Sequence, residues 1–275
     1  MSLLTGIELH PKSVEQALES LEKVVERLRA RGDARAVFPD VYAVITRNVA
    51  REVKGRTGFF QEPEWISRLA GRFAERYLET LSWSEWGGAQ DCWAWHQAYA
   101  FARGGLTFPL QDAAFGISAH INFDLALGLW KTIEEFGDRS EQRMARYKHD
   151  HDAVNKLLAA SLPEVVACLS ERYGCTVTAR FTGSLLPVTG AMMLGMLGRW
   201  REQVWKDVKA LVFAPHAQGQ HEVLKQMHQR SGRWAEFIAL GSLAGSAWKA
   251  LSGRVPHAPE EQSGPRLRSV APLAA

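Results

Sequence analysis

Apolar residues recur every three or four positions along almost the whole chain, and a chain patterned at that period must bury helix stripes rather than sheet faces. Residues 13–30 show the pattern plainly. Val14, Leu18, Leu21, Val25 and Leu28 share one face, Ser13 and Gln16 stand in capping-box positions, and Gly32 follows as a stop. Further helices are predicted over 39–53, 63–81 and 89–102. The helix of 63–81 opens on Pro63 and lines up Leu69, Phe73, Tyr77 and Leu81. A long helix follows over 109–136, with Pro109 in its first turn and Gly137 as terminator, then one over 139–160 joined to it by so short a link that the two are expected to lie antiparallel. Pro163 is expected to start a separate short helix, and 187–213 and 219–251 complete the set. Only CTVTARFTG, 175–183, alternates like a strand, and one strand makes no sheet. The expected fold is all-α, a single-domain bundle of roughly eight helices spanning 1–252 around a buried polar centre, with 253–275 as a flexible Pro/Ser-rich tail.

Charge and cysteine usage remove several function classes. Thirty-three Lys and Arg face 30 Asp and Glu, interspersed rather than striped, so nucleic acid is not an expected partner. Neither a phosphate loop nor a dinucleotide fingerprint appears, which argues against a nucleotide cofactor. Cys92, Cys168 and Cys175 form no CxxC pair and suit a reducing, cytoplasmic setting. The N-terminus lacks a signal-peptide pattern, and LLPVTGAMMLGMLG at 185–198 is shorter than a bilayer span requires, so no membrane span is expected. No pattern in the sequence specifies an oligomeric state.

The chemistry concentrates in GISAHINFDLALGL, 116–129, where His120, Asn122 and Asp124 interrupt an otherwise apolar run. On a helix His120 and Asp124 share a face, whereas Asn122 points about 200° away from His120. With Ile117, Ile121, Phe123, Leu125, Leu127 and Leu129 around them, both faces should meet protein, and buried polar groups need partners or an ion. In RMARYKHDHDAVNKLLAAS, the phase set by Met144, Tyr147, Val154, Leu157 and Leu158 turns Asp150 and His151 inward with Asn155 beside them. If the two helices are antiparallel neighbours, His120, Asp124, Asp150 and His151 converge. Two imidazoles and two carboxylates suit a divalent transition metal such as zinc, iron or manganese, and equally suit metal-free acid/base chemistry. A self-satisfied structural core fits the same spacing.

WSEWGGAQDCWAWHQ adds a dense run of tryptophans in which Trp93 and His96 are candidate ligand-binding residues, although core packing explains such runs as well. Arg201 and Trp205 share a helical face, and Arg201 can pair with a buried carboxylate such as Asp150 or hold an anionic substrate. The segments FQEPEWISRLAGRFAERYLETL, CWAWHQAYAFA, LTFPLQDAAFGISAHINFDLALGL, DHDAVNKLL and REQVWKDVKAL resemble the bacterial family DUF5995, a domain of unknown function, over about residues 38–212. The resemblance implies that His120, Asn122, Asp124, Asp150, Asn155, Arg201 and Trp205 occupy recurrent polar and aromatic positions, and that His151 stands where relatives carry an aromatic. It implies no activity. The function expected from the residues is an enzyme acting on a small, fairly hydrophobic molecule. His120, Asp124, Asp150 and Arg201 would be catalytic, and Trp93, His96, Asn122, Asn155 and Trp205 would bind the substrate. The alternatives are a non-catalytic binding protein with a tryptophan-lined pocket and a purely structural helical module.

Overall fold

The computed structural model describes residues 2–55, 58–86, 92–175 and 186–252. Nine α-helical segments lie among them: α1 (Val14–Ala30), α2 (Val37–Gly55), α3 (Pro63–Trp86), α4 (Trp93–Arg103), α5 (Pro109–Ala119), α6 (Leu125–Phe136), α7 (Glu141–Tyr173), α8 (Leu186–Val212) and α9 (Ala217–Ser252). A π-helical turn, His120–Asp124, joins α5 to α6, so the described residues form eight rods and the all-α bundle is as expected. Local signals act as read. The Oγ of Ser13 accepts from the N–H of Gln16 to cap α1, and Gly32 and Gly137 adopt positive φ just beyond the helices they end.

The rod 109–136 is the hub of the bundle. Its α5 half packs on α2, α4 and α9, its α6 half on α3 and α8, and its π turn touches α3, α8 and α9. A helix surrounded in this way has no solvent face, which is why 116–129 carries apolar residues on every side. The helices α1, α2 and α3 form a layer around Leu21, Leu28, Leu69 and Leu78, while α7 runs along α2 and reaches α8. Polar clasps tie α2 to α7. Asn48 donates to Ser161 at 2.6 Å, and Asp40 accepts from Arg172 at 2.6 Å and from the Tyr173 hydroxyl at 3.0 Å.

Three expectations are corrected here. The helix predicted to end at 160 continues through Pro163 as one α7, because Pro163 and Ala159, whose carbonyl loses its partner, both face solvent where water replaces the missing hydrogen bond. The rod 109–136 is not uniformly α-helical: the N–H of Leu125 reaches back five residues to the carbonyl of His120. The side-chain amide of Asn122 meanwhile donates to the carbonyl of Ser118 at 3.0 Å, four residues back, taking up an acceptor of the ordinary helical ladder. Nor is α7 the packing partner of α6. It lies on α2 and α8 and meets the hub chiefly at its α5 half. The strand predicted at 175–183 falls, beyond Cys175, outside the described residues, as does the predicted tail 253–275.

Among the described residues α7 holds the one stretch that is, by length and composition, apolar enough to cross a membrane, and 28% of that window is buried. Much of its partly exposed apolar side, Val154, Leu158, Leu162 and Val165, lines an internal cavity.

Candidate functional site

The π turn places His120 and Asp124 one above the other in the interior, with Asp124 fully buried. His120 Nδ1 lies 2.9 Å from Asp124 Oδ2, and the indole Nε1–H of Trp95 on α4 donates to the same oxygen at 2.8 Å. A carboxylate only accepts, so Nδ1 carries the imidazole hydrogen and Nε2 is left as the bare lone pair. Among the described residues Nε2 is buried without a partner, and Asp124 Oδ1 is likewise unpartnered. Nine buried side-chain atoms lack a partner among the described residues, and these two belong to one hydrogen-bonded pair.

Aromatic rings hold the imidazole in place. It stacks on Phe73 at 3.4 Å between centroids and 8° between planes, and the rings of Phe38 at 5.4 Å and Tyr42 at 4.6 Å meet it edge-on. Phe38 in turn fits against Gly116, where a Cβ would fall 2.3 Å from its Cγ, so the small residue on the hub makes room for the ring that packs the histidine. Burial lowers the His120 pKa below 6.5 despite the adjoining Asp124, which keeps the ring neutral at physiological pH. Burial and the Asp124 charge push the Tyr42 hydroxyl well above its ordinary value of 10.0, so it stays a hydrogen-bond donor.

Among the described residues, His120, Tyr42 and Arg201 are the polar members of an otherwise apolar lining around a cavity of about 230 Å³. Ile45, Phe73, Ile117, Val154, Leu197 and Trp200 are among its walls, and Trp234, Phe237 and Ile238 on α9 close one side. Phe237 is 68% exposed, so that wall reaches the surface. For scale, an apolar cavity of roughly 150 Å³ admits benzene. A smaller pocket of about 80 Å³ adjoins it and shares Tyr42, Ile45, Phe73, Val154 and Arg201.

The remaining predicted residues fall into separate places. Asp150 is buried but accepts from the backbone N–H groups of Gln61 at 2.8 Å and Glu62 at 2.7 Å, with the exposed His149 ring at 3.0 Å, so it anchors the entry into α3. His151 spends both ring nitrogens on α8: Nε2–H donates to the Arg201 carbonyl at 3.1 Å, and Nδ1 faces an Arg201 Nη at 3.3 Å. The expected four-residue metal set therefore does not assemble. Asp150 and His151 have their donor atoms committed elsewhere, which leaves one imidazole nitrogen and one carboxylate oxygen where catalytic zinc takes three protein ligands. Among the described residues the grouping with metal-like spacing is His10, Glu75 and Glu79, near the surface, and Glu75 and Glu79 already pair with Arg72 and Arg76.

Asn155 accepts from Arg201 Nε at 2.8 Å, and Trp205 packs beside His151 with ring centroids 5.5 Å apart. Asn122 bonds within its own turn. Trp93 and His96 stack on each other at 5.1 Å on the outside of the bundle, away from the histidine pair. The tryptophan that reaches the pair is Trp95, which sequence reasoning passed over. Its signal was present: Trp95, Ala98, Tyr99 and Ala102 form the inward stripe of α4, while Trp93 and His96 fall on the opposite side. Phe38, Tyr42 and Phe73 carried no distinguishing mark, since each reads as an ordinary core position.

No curated protein and no solved structure matches this chain. The family model described as "Family of unknown function (DUF5995)" matches residues 14–240, and the chain belongs to that family.

Proposed function

We propose that this protein is an enzyme that removes a proton from a small hydrophobic molecule bound in the 230 Å³ cavity, with His120 as general base. One observation carries the reading: His120 lines that cavity with its Nε2 buried and unpartnered among the described residues, while Nδ1 is held by a buried carboxylate. A base of this kind needs a fixed tautomer and an orienting acceptor, the roles filled by Asp124 and, behind it, Trp95. As His120 takes the proton, the Asp124 charge stabilises the imidazolium that forms, and the Tyr42 hydroxyl can donate to charge developing on the substrate. The arrangement needs no metal for this step, because base, orienter and donor all come from the chain.

A base-catalysed ring opening tests this. In 5-nitrobenzisoxazole the C–H proton would pass to Nε2 as the ring N–O bond breaks, and the released cyanophenolate is followed by absorbance. Wild type should exceed His120→Gln by at least about a hundredfold, the low side of what a positioned base contributes. Equal rates in the two proteins would remove the base from the proposal. The nearly complete apolar lining favours a second reading, a non-catalytic carrier of a hydrophobic molecule, and equal rates together with undiminished binding of the benzisoxazole would select it.

A further inference from the structure

Arg201 is a buried cation for which none of the described carboxylates forms an ion pair. Its partners are neutral. Nε donates to Asn155 Oδ1 at 2.8 Å, and one terminal nitrogen donates to the His151 carbonyl and faces His151 Nδ1. The second terminal nitrogen has no hydrogen-bond partner among the described residues. Burial pushes the pKa down to about 10, with Asp152 as a distant counterweight, so the group still carries its charge at neutral pH. Asp152 is exposed and bonded to Lys148, which also pairs with Glu202, so the surrounding surface charges are engaged with one another. A lone buried guanidinium costs several kcal/mol unless something negative joins it. Arg201 also lines both cavities at their shared edge.

Building on the proposed reading of the cavity as a ligand site, we infer that its natural ligand is a hydrophobic organic carboxylate, the head group on Arg201 and the hydrocarbon body against the apolar walls. The charge count selects a monoanion. Among the described lining residues Arg201 is the single cationic side chain, and His151 beside it is held neutral by burial and by the guanidinium itself, so a phosphate dianion would meet only half the charge it needs there. The terminal nitrogen left without a partner can donate to a carboxylate oxygen, and the hydrogen bonds of the other guanidinium nitrogens to Asn155 and His151 fix its orientation before the ligand arrives. An acid anchored there is held by a charge the walls cannot otherwise satisfy, while its body lies in the same cavity as His120.

Calorimetric titration of the full chain with monomeric decanoate, 1-decanol and decyl phosphate separates the possibilities. Decanoate should bind wild type about 10- to 100-fold more tightly than decanol, the worth of hydrogen bonds to a charged group. In Arg201→Met that preference should shrink to within about threefold while decanol binding holds, a change well under 1.4 kcal/mol. Should the variant fail to fold, the wild-type comparison decides alone. Decanol binding as tightly as decanoate, or decyl phosphate binding more tightly than both, overturns the carboxylate inference yet leaves a ligand cavity. If none of the three binds, the cavity reading falls with it, whereas a failed benzisoxazole assay beside a clear decanoate preference would remove the base and leave this inference standing.

Discussion

Replacing His151 by glutamine should flatten the acid limb of the protein's stability. In the folded protein His151 gives Nε2–H to the Arg201 carbonyl and presents Nδ1 to the Arg201 guanidinium, and burial together with that guanidinium holds its pKa well below 6.5. The unfolded chain takes up a proton near 6.5 while the folded chain does not. Unfolding therefore binds a proton in this window, and stability is complete above 6.5 and drains away as pH falls beneath it. For one fully sealed histidine the loss is roughly 1 kcal/mol in the first pH unit below 6.5 and steepens toward about 1.4 kcal/mol per unit after that. His120 contributes in the same direction because its pKa is also lowered. Asp112 works oppositely, since burial raises its carboxyl to about 6 and the folded state then gains a proton as pH falls. Both groups are present in wild type and variant, so they cancel in the comparison. Urea unfolding near pH 7.5 and pH 5.5 should show wild type losing roughly 1.4 kcal/mol more than His151→Gln across that interval. Equal losses would mean that the ring titrates in the fold as it does in the open chain, and the sealed His151–Arg201 contact would be refuted.

Other perturbations test separate parts of the structure. Trp95→Phe removes one of the two donors to the buried Asp124 Oδ2 and should cost about 1–3 kcal/mol by chemical denaturation while slowing benzisoxazole opening, with undisturbed kinetics counting against an orienting role. Gly116→Ala drives a methyl into Phe38 and should lower stability by about 1–3 kcal/mol through overpacking, read as a fall in Tm; an unchanged Tm would show that the ring moves freely. Asp150→Ala strips the acceptor from two backbone N–H groups at the entry to α3 and should cost about 1–2 kcal/mol without altering the benzisoxazole rate, whereas a lost rate would return Asp150 to the chemistry. The base-catalysed rate of wild type should stay level from neutral pH down through 6.5 and fall only in more acidic buffer, because the lowered pKa keeps His120 unprotonated; a midpoint above 6.5 would contradict its burial.

Individual residues show where sequence reading succeeds and where it stops. Asp150 and His151 turned inward as the phase of their helix required, and both are buried. Their partners were misassigned because the short link after Gly137 suggested that consecutive rods lie side by side, whereas α7 crosses to α2 and α8. Pro163 was read as a start because proline removes a helix donor, yet that loss is cheap on a solvated face, and exposure is a property of the packed molecule. Trp95 was legible from its stripe, but its neighbours Trp93 and His96 drew attention through residue type alone.

What the sequence settled by itself was periodic and local: an apolar repeat that admits only helices, the caps and glycines that end them, and a central segment too apolar on every side to have a solvent face. Which buried groups meet was decided by tertiary packing. A helix's phase says toward which side a side chain points, but the identity of what lies there depends on how several rods share the burial of one hub, and that is a property of the whole interior. Packing therefore set the His120–Asp124 pair against Trp95 and Phe73, left Nε2 without a partner among the described residues, and placed Arg201 on the same cavity with no acid from those residues beside it.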